Sequence, residues 1–218
     1  MMTKYLIHCA KGSGGMFLMS IFSKLMGLNN NLIISKSGHC HDFGNGIWNG
    51  NKNINFIGEF WDLNFKKDKT FFYTHVLDVS KFKKMMPDVK LVLINYSEID
   101  YHNITKMFVS KAWPDTWDVN EYNKWKGDLW PPFSKDNLTN ELVLNDIIRG
   151  LTSVTAQWIA EINRDNYDYI IDYKTIMGLN DLILDQEVSR ITGYPTNEYI
   201  HQHVLHYQRL NNTLYLNA

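Results

Sequence analysis

The chain has 218 residues, a formal net charge of -1 at pH 7 and a sequence pI near 6.7. Because so balanced a chain has no global field to gather nucleic acid or an anionic membrane, neither is expected as a partner, and any anion must be bound by a local site. The length allows one substantial core, while two cysteines, Cys9 and Cys40, are too few for a disulfide framework. No apolar run reaches membrane-spanning length and no secretory signal is visible, so we expect a soluble, cytoplasmic protein.

The first 27 residues predict a strand, a glycine-rich turn and a helix. The apolar run at 5–9 predicts the strand. Apolar residues then recur at a spacing of three and four from Met16 to Met26, which is typical of an amphipathic helix, and Gly27 is a natural end for it. Between strand and helix lies the turn Ala10-Lys11-Gly12-Ser13-Gly14-Gly15.

Strand and helix patterns alternate along the rest of the chain. Further strands are predicted at 70–74, 90–94 and 169–173, and helices at 79–86, 101–112, 145–163, 181–192 and 198–210. Such alternation is typical of a parallel sheet covered by helices. We therefore expect an α/β protein, a three-layer α/β/α arrangement with a central parallel sheet, in a single domain of residues 1–218. The acids Glu98 and Asp100 are expected to cap the helix that starts near Tyr101.

The segment 113–140 departs from this alternation. It contains four tryptophans, Trp113, Trp117, Trp125 and Trp130, with little periodicity. Because aromatic faces pack on sugar rings and on planar groups, this irregular excursion is a candidate wall for an acceptor molecule. A small hydrophobic subcore beneath a long loop is the alternative.

The turn at 10–15 is a candidate anion-binding loop. Its small residues let consecutive backbone N–H groups point into one concavity, and the following helix adds the partial positive charge of its N-terminus. Lys11 would add a full positive charge and Ser13 a hydroxyl donor. The other residues of the expected site are Gly12, Gly14, Gly15 and Met16. A Walker motif, in which lysine follows the glycines, is absent, and this disfavours an ATPase or GTPase. The alternative is a glycine-rich turn with a solvated lysine.

These residues resemble a known family. The strand, the Lys-x-Ser-Gly-Gly turn and the aromatic Phe17 in the opening helix are similar to the 5'-phosphosulfate loop, usually P-K-S-G-T-T-W, of sulfotransferases that use PAPS (3'-phosphoadenosine 5'-phosphosulfate). Thr74 and His75, which follow Tyr73, resemble the family's K-T-H segment, in which the histidine is the catalytic base. The strand at 169–173 and the helix after it look like the family's V-x-Y-E-D-L region.

The resemblance spans most of the chain outside 113–140, and compact Asn-rich chains of this kind look like sulfotransferase-like proteins of marine bacteriophages. It implies a P-loop NTPase-like sulfotransferase fold, a host-cell cytoplasmic location, PAPS as co-substrate and no metal. The implied reaction moves a sulfuryl group to a hydroxyl or amine of a carbohydrate or small-molecule acceptor. Lys11 and His75 would be the catalytic residues.

The sequence departs from the family at several positions. Ala10 replaces the proline, and Gly12 is an extra residue before the serine. The arginine and serine that bind the 3'-phosphate in the family would fall on Tyr96 and Ile104, or one residue earlier on Asn95 and Asn103. Tyr96 and Asn103 are therefore the cofactor-binding candidates, although a neutral amide does not replace a bidentate guanidinium. Arg209 is the only candidate near the family's C-terminal R-K-G element.

Two other functions remain open: a small P-loop nucleotide kinase, and a non-catalytic phage-associated binding module that retains the sulfotransferase fold. The run His39-Cys40-His41-Asp42 contains metal-ligating side chains, but adjacent residues rarely converge on one ion, and no metal is predicted. The same loop could instead contribute His41 or Asp42 to acceptor binding.

Overall fold

The computed structural model describes residues 3–9, 14–27, 71–74, 79–97, 99–100, 102–104 and 162–216. The chain divides into two compact units, residues 1–96 with 162–217, and residues 97–161 with 218. The strands and helices with defined bounds lie in the first unit. They are β1 Lys4–His8, α1 Gly15–Leu25, β2 Phe71–Thr74, α2 Val79–Met85, β3 Val89–Asn95, a 3₁₀ turn Arg164–Asn166, β4 Tyr169–Asp172, α3 Tyr173–Met177, α4 Leu184–Thr192 and α5 Glu198–Leu216.

The described strands form one parallel sheet in the order β2-β1-β3-β4. From β1 the chain passes to β2 on one side, and it then returns to β3 on the other side of β1. The strand order therefore switches between β1 and β3. In open parallel sheets, ligands bind at the carboxyl ends of the strands beside such a switch point. The predicted α/β class with a parallel sheet is confirmed.

The core is built on β1, β3 and α1. Leu6, Ile7 and Val92 are fully buried, and so are Phe17 and Ile21 of α1. Strands buried on both faces of a parallel sheet carry continuous apolar runs, and the runs in β1 and β3 are of this kind. Helix α1 contacts α4 and α5, so the three helices share one face of the sheet.

A charged cluster fixes the amino end of β4 against β3 and α2. The Asp168 carboxylate accepts hydrogen bonds from Lys83, from Lys90 at 3.1 Å and from the Leu91 backbone N–H at 2.8 Å. This cluster lies at the amino end of β4, away from the carboxyl ends of the strands at the switch point. Its role is structural.

The end of β4 differs from the sequence prediction. The pattern predicts Tyr173 as the last residue of a strand, but β4 ends at Asp172 and Tyr173 is the first residue of α3. The Tyr173 side chain is 1% exposed, and its ring meets that of Tyr96 edge-on at 6.4 Å. Tyrosine is common in strands, but Tyr173 is buried here as the first residue of a helix.

In the second unit, residues 99, 100 and 102–104 are helical. The Asp100 carboxylate accepts from the Ser97 hydroxyl at 2.6 Å and from its N–H at 3.1 Å, while the Asp100 N–H donates to the Ser97 oxygen at 3.3 Å. This reciprocal capping confirms the role of Asp100, and the helix begins before Tyr101. The predicted features at 113–140 and 145–161 lie outside the described residues. No helix in the described part of the chain has the length and apolar character to cross a bilayer.

Candidate functional site

In the turn between β1 and α1, the residue directly before the helix is a glycine in the left-handed conformation. Gly14 has φ 82° and ψ 14°, and its carbonyl accepts the first helical hydrogen bond from the Leu18 N–H at 2.9 Å. Glycine adopts this conformation without the steric cost that other residues meet. A β-carbon at Gly14 would also lie 2.9 Å from the Tyr207 hydroxyl and 3.3 Å from the Ile176 side chain. The left-handed backbone and the lack of room for a β-carbon both require glycine at position 14.

Gly15 lets α1 start directly against the end of β1. A β-carbon at this position would overlap with the sulfur of Cys9, which is itself buried. The amino end of α1 is thus held at the carboxyl end of β1, next to the switch point. The first turn of α1 contains no acidic residue. Its partial positive charge is therefore not offset by a carboxylate within that turn.

Tyr207 of α5 forms a wall of this turn. Its ring lies nearly parallel to that of Phe17, with centroids 3.7 Å apart and planes 4° from parallel. The tyrosine is 4% exposed, and its hydroxyl lies 2.9 Å from the position that a β-carbon on Gly14 would occupy. Helix α5 therefore brings a phenol to the amino end of α1.

His8 ends β1 and connects the sheet to the segment that precedes β4. Its Nδ1 atom lies 2.6 Å from the Tyr167 hydroxyl, and the imidazole is 1% exposed. The two rings also stack, with centroids 5.9 Å apart. Burial raises the pKa of the Tyr167 phenol. The pair holds Tyr167 beside the carboxyl end of β1.

A row of three polar side chains follows the carboxyl ends of β3 and β4. The side-chain nitrogen Nδ2 of Asn95 donates to an Asp172 carboxylate oxygen at 2.7 Å, and Arg164 Nε donates to the side-chain oxygen Oδ1 of Asn95 at 3.0 Å. Asn95 and Asp172 are direct neighbours in the strand register. We call Asp172, Asn95 and Arg164 the polar row.

Five of the predicted site residues lie in the part of the chain that the structure describes. Gly14, Gly15 and Met16 form the start of α1, where the Met16 carbonyl accepts from the Ser20 hydroxyl at 2.9 Å. Tyr96 follows β3 but is 3% exposed and packs on Tyr173, so its side chain belongs to the core. Asn103 is a half-buried helical residue of the second unit.

The remaining predicted residues, Lys11, Gly12, Ser13 and His75, lie outside the described residues. Thr74, which precedes His75 in the chain, is the last residue of β2 and pairs with His8 in the register. Their proposed roles therefore stay predictions.

Sequence reasoning missed the polar row, the His8 and Tyr167 pair and the Tyr207 wall. Arg164 and Asn95 are far apart in the chain, and only the pairing of β3 with β4 makes them neighbours. The sequence pattern predicts a continuous helix up to residue 163, whereas Asn163 caps the 3₁₀ turn by accepting from the Asp165 N–H at 3.1 Å. The Asn and Asp residues of that segment are the one local signal for a turn.

Within the described ranges, no group of three or more His, Cys, Asp or Glu side chains is arranged to hold a metal ion. The His39 to Asp42 run lies outside those ranges.

Comparison with known proteins identifies no relative of this chain. No family model, no curated protein and no solved structure matches the chain.

Proposed function

We propose that the protein binds the 5'-phosphosulfate group of PAPS at the turn between β1 and α1 and transfers the sulfuryl group to a hydroxyl or amine. One observation supports this most: the left-handed Gly14 and the close contact of Gly15 with Cys9 fix the positive end of α1 at the carboxyl end of β1. That end lies beside the switch point of a parallel sheet, the place where such folds bind their ligands.

The same proposal assigns the finer fold. The order strand, glycine turn, helix and then parallel strands on both sides of β1 fits a P-loop NTPase-like sulfotransferase with helices on both faces of its sheet. The first unit supplies the sheet and the helical layer of α1, α4 and α5 on one face. The cytoplasm of a phage-infected cell is the proposed location.

In the proposed reaction, a bond forms between the acceptor oxygen or nitrogen and the sulfur, while the bond from sulfur to the bridging phosphate oxygen breaks. Lys11 and the backbone N–H groups of the turn balance the charge on the leaving phosphate, and Ser13 donates a further hydrogen bond. His75 accepts the proton of the acceptor group. The products are the sulfated acceptor and 3'-phosphoadenosine 5'-phosphate (PAP).

Isothermal titration with PAP, PAPS, ATP and inorganic sulfate tests the binding step. PAP and PAPS are expected to bind, and Lys11→Ala is expected to weaken binding by about tenfold or more, since it removes a charge-assisted contact to a phosphate. Lys84→Ala, which removes an exposed lysine of α2, is the matched control and is expected to leave the affinity unchanged. A preference for ATP would favour a kinase, and no nucleotide binding would favour a non-catalytic module.

The transfer step needs a separate measurement. With radiolabelled PAPS and a panel of carbohydrate and phenolic acceptors, His75→Ala is expected to retain PAP binding while its rate of transfer falls by about a hundredfold or more. Full activity of His75→Ala would show that another group accepts the proton.

A further inference from the structure

The carboxyl ends of β3 and β4 offer paired donors and acceptors toward solvent. Asp172 and Arg164 are exposed. One carboxylate oxygen of Asp172 accepts from Asn95, and Nε of Arg164 donates to Asn95, so Asn95 fixes the two charged groups at either side of its amide. Among the described residues, the second Asp172 oxygen and the terminal nitrogens of Arg164 form no hydrogen bond. We infer that the polar row is a sugar-binding subsite that holds two neighbouring hydroxyls of a neutral carbohydrate.

The charge of the row favours hydroxyls over a phosphate. Arg164 contributes one positive charge and Asp172 one negative charge, and the neighbouring Asp165 is exposed and acidic as well. An anion placed against Arg164 would also lie near the Asp172 carboxylate on the other side of Asn95, and the repulsion from this carboxylate offsets the attraction of the guanidinium. A hydroxyl both donates and accepts, so two adjacent hydroxyls can donate to Asp172 and accept from Arg164 at the same time.

An exposed apolar side chain lies on the same face of the sheet. Ile170 is 38% exposed, and because alternate residues of a strand point to the same side, it shares a face with Asp172. In the register, Ile170 pairs with Leu93 and Asp172 pairs with Asn95. A pyranose ring presents C–H groups on one face and hydroxyls at its rim, so it can pack on Ile170 while its rim reaches the polar row.

This inference rests on the proposed function, because it identifies the acceptor of the sulfuryl group as a carbohydrate. Neighbouring strands are about 4.8 Å apart, so β4 lies about 10 Å from β1, which leads into the turn of the proposed phosphosulfate site. An oligosaccharide held at the polar row can extend over this distance toward the turn. Binding of the sugar itself needs no PAPS and is measured without it.

Saturation-transfer NMR of the full chain tests the subsite, with the methyl glycosides of mannose, galactose and glucose and the trisaccharide maltotriose as probes. At least one probe is expected to bind in the millimolar range. Arg164→Ala and Asp172→Ala are each expected to weaken that binding by about fivefold or more, because each removes hydrogen bonds to a charged group. Arg190→Ala is the matched control, since this exposed guanidinium of α4 pairs with Glu187 instead.

The outcomes separate the two proposals. If no probe binds, or if both variants bind as the parent protein does, the sugar subsite is wrong even where PAP still binds. If Arg164→Ala weakens the binding of PAP while sugar binding is unchanged, the guanidinium binds the nucleotide and the proposed sugar subsite is likewise wrong. Sugar binding that depends on the row, with no binding of PAP, would support the subsite and contradict sulfuryl transfer. Circular dichroism confirms that each exposed variant is folded.

Discussion

Gly15 at the start of α1 lies so close to Cys9 at the end of β1 that any β-carbon on the glycine would overlap with the cysteine sulfur. The contact links the geometry of the turn to a specific pair of residues. It also explains why a buried thiol stands just before the turn: Cys9 fills the space that the missing side chain of Gly15 leaves.

Gly15→Ala is expected to lower the free energy of unfolding by about 1–3 kcal/mol, because the added methyl forces the helix away from the strand. The double variant Cys9→Ala with Gly15→Ala is expected to recover part of that loss, since the nearest remaining atom of residue 9, its β-carbon, is 3.4 Å from the added methyl. Urea unfolding of the two single variants and the double variant measures the coupling.

Gly27→Ala is the control for this cycle. Gly27 has φ 74°, and a β-carbon added there would meet no atom within 4 Å, so only the backbone conformation opposes the change. Its cost of about 1–2 kcal/mol is expected to be the same with and without Cys9→Ala. Strict additivity of Cys9→Ala and Gly15→Ala would contradict the contact as the cause.

Tyr167 is expected to make stability sensitive to alkali. Burial raises the pKa of its phenol above the ordinary value of 10.0, so the folded protein holds this proton more tightly than the unfolded chain. The resulting stability is fully present below pH 10 and is lost as the pH rises toward the folded pKa. Tyr167→Phe is expected to flatten this alkaline loss and to lower stability near neutral pH by about 1 kcal/mol, through loss of the hydrogen bond to His8.

Urea unfolding across the alkaline range measures the effect of Tyr167→Phe. Tyr199→Phe is the control, because it removes a phenol whose side chain is 51% exposed. An alkaline loss of the same steepness in Tyr167→Phe and in the parent protein would show that the buried phenol is not its source.

The sequence predicted the strands well because their apolar runs are local. The run at 5–9 became β1 Lys4–His8, and that at 90–94 became β3 Val89–Asn95. Gly14 and Gly15 could also be assigned to a strand-to-helix turn from their order alone. The residues that contact this turn could not be predicted from the sequence, because Tyr207 reaches Gly14 only through the packing of α5 on α1. Contacts between distant elements depend on register and helix packing, which no local pattern contains.

Asp168 is expected to make stability sensitive to acid. Burial by itself would raise the pKa of this carboxyl, but hydrogen bonds from Lys83, the Leu91 N–H and Lys90 outweigh it and lower the pKa below its ordinary value of 3.8. The stability is therefore present above pH 3.8 and is lost as the pH falls through the folded pKa. Asp168→Asn is expected to cost about 1–3 kcal/mol at neutral pH, because it removes the charge that the two lysines face.

The acid dependence distinguishes this role from a general loss of packing. In urea unfolding from neutral pH down to the acid limb, Asp168→Asn is expected to lose stability less steeply than the parent protein. Asp181→Asn, which changes an exposed carboxylate ahead of α4, is the control and should follow the parent curve. An unchanged acid limb in Asp168→Asn would mean that other carboxylates determine it.

A buried carboxylate joins α4 to the start of α5. Asp185 is 2% exposed, and one of its oxygens accepts from the Thr196 hydroxyl at 2.9 Å and lies 3.3 Å from Nδ1 of His201. Thr196→Val keeps the shape of the side chain but removes the donor. Because a buried carboxylate that loses a donor is poorly solvated, we expect Thr196→Val to lower the free energy of unfolding by about 1–3 kcal/mol.

Thr192→Val is the matched control for this change. The Thr192 hydroxyl donates at 2.8 Å to the Val188 carbonyl within α4 and accepts at 3.4 Å from the exposed Tyr194 N–H. Because neither contact serves a buried charge, the loss of this hydroxyl is expected to cost less than about 0.5 kcal/mol. Equal effects of Thr196→Val and Thr192→Val in urea unfolding would show that the Asp185 contact adds nothing beyond side-chain packing. A larger loss in Thr196→Val would identify Asp185 as a polar link that holds the first turn of α5 on α4. Because Tyr207 of the same helix α5 lies beside Gly14 and stacks on Phe17, this link would then also help to position the phenol at the start of α1.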